Sequence, residues 1–146
     1  GPRRPSHLYG LTGRGADALS RAYLPCLLEL LSVLAERLPD ASLRRLMVET
    51  GERLAGTGQA PSGSLRERAA AGRTALEALG ATVTQKPLKS GVRLEGASCP
   101  LGAAAQRTPA TCQAVAALLH RATGLVPTVE CETDARPRPR CRFTLT

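Results

Sequence analysis

Apolar residues recur at helical spacing through the first third of the chain and form two stripes on one predicted helix, residues 13–38. Tyr23, Leu27, Leu30 and Leu34 make one stripe; Leu24, Leu28, Leu31 and Leu38 make the other. Thr12 is placed to cap this helix and Pro39 to end it. One stripe can cover the chain's own core. The other then needs a second partner, most simply the same helix of a second subunit, unless one domain buries both. A second helix, 41–55, has Asp40 as its cap and Leu43, Leu46, Met47 and Leu54 turned inward. Before both, residues 7–11 alternate like a strand whose partner would have to lie upstream of this chain.

Residues 56–63, Gly-Thr-Gly-Gln-Ala-Pro-Ser-Gly, read as a linker. Ser64 and Glu67 have the spacing of a capping box, and the helix they open is expected to stop at Gly80. A strand near 81–86, a turn through 87–90 and a strand near 91–95 follow, with Val83 and Leu94 on one side. Thr108 and Pro109 open another helix, which ends at Gly124 and turns Cys112, Val115 and Leu119 to one face.

The last two strands have the most determined register. With residues 134–138 as the turn, Cys131 falls opposite Cys141 and Val129 opposite Phe143 on one face. The other face then pairs Glu130 with Arg142 and Glu132 with Arg140. Thiols and apolar groups pair inside while opposite charges pair outside. The expected fold is α+β: a long dimerisation helix and a second helix, then an α-β-β-α-β-β unit with a four-stranded antiparallel sheet covered on one face. The expected divisions are 1–12, 13–55 (a helical dimerisation arm), 56–63 (a linker) and 64–146 (a cysteine-rich α/β unit).

Composition narrows the options. The chain of 146 residues is 42% apolar but only 2% aromatic and lacks Trp, so its core must be Leu, Val and Ala. No apolar run is long enough to span a membrane and no signal peptide is visible, so a cytoplasmic setting is expected. The formal charge of +8 suits nucleic acid or an acidic surface, though Arg used simply as a solvated residue accounts for it as well. Gly1-Pro2 at the start, without Met, suggests a protease scar on a fragment.

Four of the five cysteines lie in the last third: Cys99, Cys112, Cys131 and Cys141, separated by twelve, eighteen and nine residues. On the predicted frame Cys131 and Cys141 are cross-strand neighbours, Cys112 opens the covering helix and Cys99 lies in the loop before it. All four can converge on one metal or cluster site. Cys131 and Cys141 could instead pair as a disulfide, or all four could be separate buried thiols. The spacing is not the paired C-x-x-C of a zinc ribbon or a thiol oxidoreductase. Cys26 reads as a small buried hydrophobe and His120 as a solvated or capped side chain. No Gly-rich phosphate loop, triad or carboxylate dyad stands out, and an enzyme is not expected.

Arg4-Pro5-Ser6-His7-Leu8-Tyr9-Gly10-Leu11-Thr12, followed by Gly15, resembles the wing and following helix of bacterial ArsR-like winged helix-turn-helix regulators. Ser98-Cys99-Pro100-Leu101, Cys112, Glu130-Cys131 and Arg140-Cys141-Arg142-Phe143 resemble the cysteine-bearing C-terminal domain of the SufR-type group. The Cys99–Cys112 interval is similar to the group's, and the two later intervals differ. The resemblance implies a homodimeric DNA-binding repressor that senses iron–sulfur status. It implies a 4Fe–4S cluster on Cys99, Cys112, Cys131 and Cys141, with zinc or a metal-free thiol module as the alternative. It also implies DNA contacts at Arg3 and Arg4, a dimer interface through Tyr23, Leu27, Leu30 and Leu34, and operator DNA bound by helices upstream of this chain.

Overall fold

A computed structural model describes residues 9–132 and 140–146. Arg3, Arg4, His7 and the turn 134–138 lie outside the described residues. Tyr9 to Leu11, the described end of the expected strand, form no strand, and Tyr9 and Leu11 are exposed.

The expected single helix 13–38 is two. α1 spans Gly13–Leu19 and α2 spans Tyr23–Arg37. Thr12 caps the first as expected, its hydroxyl accepting from Gly15 N at 3.1 Å. The break has a physical cause in Pro25. In the middle of a long helix its ring would clash with a carbonyl one turn back and its missing N–H would cost a bond. Stopping at Ser20, whose backbone is extended (φ −62°, ψ 129°), moves Pro25 into the first turn of α2, where no donor is needed. Ser20 Oγ accepts from Ala22 N at 3.3 Å, and the Tyr23 hydroxyl donates to Asp17 across the break.

α3, Asp40–Ala55, starts one residue earlier than expected, with Pro39 rather than Asp40 at the cap position. Leu43 and Met47 are buried as expected, whereas Leu46 and Leu54 stay exposed. Their place inside is taken by Gly51, packed so closely on the later helix α6 (Cys112–Thr123) that a Cβ there would lie 2.0 Å from the Ala114 carbonyl oxygen. Residues 56–63 form neither helix nor strand. Across them α3 nonetheless makes the molecule's most extensive helix–helix contact, with α6.

α4, Leu65–Ala78, carries the complete capping box: Ser64 Oγ accepts from Glu67 N and the Glu67 carboxylate accepts from Ser64 N at 2.8 Å. The Ser64 N–H bond, with the Ser64 hydroxyl donating to the same carboxylate at 2.9 Å, holds the Glu67 carboxyl below its ordinary pKa. Gly80, at φ 87°, turns the chain into β1, Val83–Leu88, and β2, Gly91–Gly96. A short helix the pattern did not predict, α5 (Gly102–Arg107), precedes a 3-10 turn at Pro109–Thr111. α6 follows and ends at Gly124 in the left-handed conformation. Arg68 of α4 closes that end, donating to the carbonyls of Thr123 at 3.0 Å and Gly124 at 2.7 Å. The His120 ring bonds the Leu125 carbonyl through Nδ1 at 2.8 Å, and the residue is exposed.

β3, Pro127–Glu132, and β4, Arg140–Leu145, complete an antiparallel sheet of order β1-β2-β4-β3. The architecture is α+β, as the pattern predicted. α4 and α6 cover one face, burying Ala69, Leu76, Leu94, Val115, Leu119, Cys141, Phe143 and Leu145 in the main core. Leu31, Leu43, Met47, Ala104 and Ala114 form a second, smaller core joining α2, α3, α5 and α6. Among the described residues no helix is long and apolar enough to cross a membrane.

Candidate metal centre

The site grows from the β3–β4 ladder. Cys131 pairs with Cys141, Val129 with Phe143, Glu130 with Arg142 and Glu132 with Arg140, the register expected from the sequence. Val126 and Thr146 exchange both backbone bonds, at 2.9 and 3.2 Å. Counting inward by the alternation of an antiparallel ladder, Thr144 and Arg142 also belong to hydrogen-bonded pairs. Pro127–Leu145, Val129–Phe143 and Cys131–Cys141 are then the closer, non-hydrogen-bonded kind, with Cα atoms about 4.5 Å apart. Pro127, which has no N–H to give, fits that alternation. Cys131 therefore stands at the register position nearest to Cys141. On the open face Arg142 stands between Glu130 and Glu95, and Lys86 donates to Glu95 at 2.7 Å.

On its other side Cys141 pairs with Gly96, the last residue of β2. The chain turns sharply there. A Cβ on Gly96 would come 3.1 Å from the Ser98 carbonyl oxygen, so the missing side chain lets residues 97–99 fold back over the strand end. Ala97 N stays tied to Thr82 O at 3.0 Å. This return brings Cys99 onto Cys141. The two thiols hydrogen-bond, and that bond is the main cause holding the Cys99 pKa down to about 7 from an ordinary 9.0. Burial opposes the shift and a backbone bond at Leu101 adds to it. Cys141 is buried within the main core and Cys99 is half-buried against it.

Cys112 is the first residue of α6, where the helix dipole favours a thiolate. It shares a helical stripe with Val115 and Leu119, both in the core that holds Cys141. One residue earlier, the Thr111 hydroxyl is buried and without a hydrogen-bond partner, a donor available to a sulfur acceptor. Among the described residues there is no disulfide, and no three His, Cys, Asp or Glu side chains form a ready-made cage. The structure thus brings Cys99 and Cys141 into contact, sets Cys131 opposite Cys141 in register, and starts α6 with Cys112. Thiolates as a ligand type suit an iron–sulfur cluster or a zinc ion, but Cys99, Cys112 and Cys141 form no metal-holding group among the described residues.

No protein-family profile matches this chain, and a comparison with curated proteins finds no match.

The second set of expected residues lies on α2. Tyr23, Leu24, Leu27, Leu30 and Val33 are exposed, Tyr23 at 62% and Leu30 at 53%. Leu28, Leu31 and Leu38 face the second core. The two stripes are therefore separate, with two corrections: Leu34, expected beside Tyr23, Leu27 and Leu30, is partly buried against the second core, and Leu24, expected beside Leu28, Leu31 and Leu38, is exposed. Cys26, expected to be buried, is exposed.

Sequence reasoning missed α5. It starts three residues after Cys99, buries Ala104 among Leu31, Leu43, Met47 and Ala114, and places the Arg107 guanidinium 2.7 Å from Glu29 of α2. The run Gly-Ala-Ala-Ala-Gln-Arg, rich in the best helix former, was its one signal.

Proposed function

We propose that this chain is the sensing and dimerising part of a DNA-binding transcriptional regulator, with a 4Fe–4S cluster held by Cys99, Cys112, Cys131 and Cys141. The observation that carries the reading is the Cys99–Cys141 thiol contact at the sheet end where Cys131 is the register partner of Cys141. Cys112, opening the helix that covers the same core, supplies the fourth thiol. A depressed Cys99 pKa favours the thiolate that a metal requires. When bound, the cluster would supply an oxidisable link among these elements.

The chain's own residues supply the rest. The exposed Tyr23, Leu24, Leu27, Leu30 and Val33 make a face suited to the same face of a second subunit. α5 lies between the Cys99 loop and α2, so fixing the thiols biases the position of the dimer helix through Ala104 and the Arg107–Glu29 pair. Upstream, Arg3 and Arg4 would contact DNA phosphate or the minor groove, and winged-helix segments outside this chain would read the operator. The setting proposed is cytoplasmic and the role is sensing, not catalysis.

The test is substitution of single thiols. Cys112→Ala and Cys141→Ala should each abolish the visible chromophore of the anaerobically reconstituted chain. If both variants keep it unchanged, the site is wrongly assigned. Zinc in place of iron in the wild-type chain would leave the same thiols as a structural centre.

A further inference from the structure

We infer that Cys99 and Cys141 also form a metal-free peroxide switch, with Cys99 as the attacking thiol and Cys141 as the resolving thiol that closes a disulfide. The two thiols are hydrogen-bonded and differ in access. Cys99 sits half-exposed on the loop after β2, whereas Cys141 is 2% exposed within the sheet. A peroxide arriving from solvent meets Cys99 first. The same hydrogen bond leaves Cys141 beside the oxidised sulfur.

The steps balance. The Cys99 thiolate attacks one oxygen of a hydroperoxide. An S–O bond forms, the O–O bond breaks, and hydroxide or alkoxide leaves. Sulfur is oxidised by two electrons and the peroxide reduced by two. Cys141 gives up its proton and attacks the Cys99 sulfenic sulfur. An S–S bond forms, the S–O bond breaks, and the departing hydroxide takes the proton as water.

Cys131, the register partner of Cys141, is the rival for the same bond, and the mapping below separates the two pairings. A non-hydrogen-bonded strand pair fixes the Cα atoms about 4.5 Å apart, at the short end of the roughly 4.4–6.8 Å that disulfides span. Cys99 lies on a turn beyond the ladder bond of Ala97, its carbonyl accepting from Gly102 N at 3.0 Å. A Cys99–Cys141 bond would pin this turn, and with it the start of α5, to β4. α5 carries Ala104 and Arg107 onto α2, so the oxidised state reaches the same helix without any metal.

The experiment uses the whole chain, stripped of metal with a chelator, reduced, freed of reductant and treated anaerobically with one equivalent of hydrogen peroxide. Remaining thiols are then alkylated and the peptides mapped by mass spectrometry. The expected product is a Cys99–Cys141 disulfide reversed by dithiothreitol. Cys99→Ser, a half-exposed change that leaves the core intact, should remove the disulfide, and Cys131→Ser should retain it. Cys141→Ser should leave a dimedone-reactive sulfenic acid on Cys99. A Cys131–Cys141 disulfide, crosslinks through Cys26 alone, or Cys99 driven to sulfinic acid while Cys141 stays reduced would each overturn the proposal. Metal analysis of untreated chain decides the cluster reading separately, so either idea can fail without the other.

Discussion

Gly51→Ala should destabilise the protein, although the same change in an open helix would stabilise it. Replacing Gly by Ala inside a helix favours the helix by roughly 1 kcal/mol. At Gly51 the new Cβ would stand 2.0 Å from the Ala114 oxygen and 2.8 Å from its carbonyl carbon. Both are backbone atoms of α6 and cannot rotate aside. Reaching even 3.0 Å, the limit below which real Cβ contacts are essentially never found, requires α3 and α6 to part by about 1 Å, the difference between 3.0 and 2.0 Å. A gap of that size forfeits roughly a quarter to a half of the attraction at each contact along the crossing. Overpacking of this kind costs about 1–3 kcal/mol, and the clash must exceed the helix gain for the sign to turn. Less the helix gain, that leaves a net loss of up to about 2 kcal/mol, a fall in Tm of up to roughly 4–8 °C. Thermal unfolding of the metal-free chain by circular dichroism reads it directly. Gly58→Ala, where a Cβ meets nothing within 4 Å, is the control and should leave Tm nearly unchanged. A Gly51→Ala protein as stable as wild type, or more stable, would refute the close crossing that joins α3 to the helix starting at Cys112.

Ser64→Ala removes both the hydroxyl that accepts from Glu67 N and its contact with the Glu67 carboxylate; urea unfolding should show a loss of about 1 kcal/mol. Leu27→Glu with Leu30→Glu places charge on the exposed face of α2 and should turn a dimer into a monomer in sedimentation, with the far-ultraviolet spectrum unchanged; an unaltered dimer would remove α2 from the proposed interface. Alkylation of Cys99 in metal-free chain should rise with pH through a midpoint near 7, well below an ordinary thiol at 9.0, and Cys141→Ser should move it. Because the folded pKa is the lower one, this group adds stability as pH rises from about 7 toward 9 and loses it as pH falls through 7.

How much of this was legible in the sequence depends on how many independent constraints each element carried. The β3–β4 register was legible because both faces voted for it: Val129 opposite Phe143 and Cys131 opposite Cys141 on one, Glu130 opposite Arg142 on the other. The capping box at Ser64 and the stop at Gly80 are local chemistry, and local chemistry is readable. The helix break at Ser20 was hidden because the leucine stripes run on past Pro25, and periodicity outvoted a single proline. The α3–α6 crossing could not be read at all. Gly51 carries no side chain to announce burial, while Leu46 and Leu54 looked apolar enough to be inside. At the candidate site the Cys131–Cys141 register was legible and one contact was not. Cys99 meets Cys141 because Gly96 permits a tight return at the end of β2, a backbone property that no cysteine spacing encodes.

The central claim is that these thiols hold an iron–sulfur cluster. The most direct measurement is an absorption spectrum of anaerobically reconstituted chain, with iron, sulfide and zinc determined on the same sample. The account predicts a broad visible band, iron and sulfide in equal proportion, and about four of each per chain for a 4Fe–4S centre. Zinc alone, or no metal bound after anaerobic reconstitution, would contradict it.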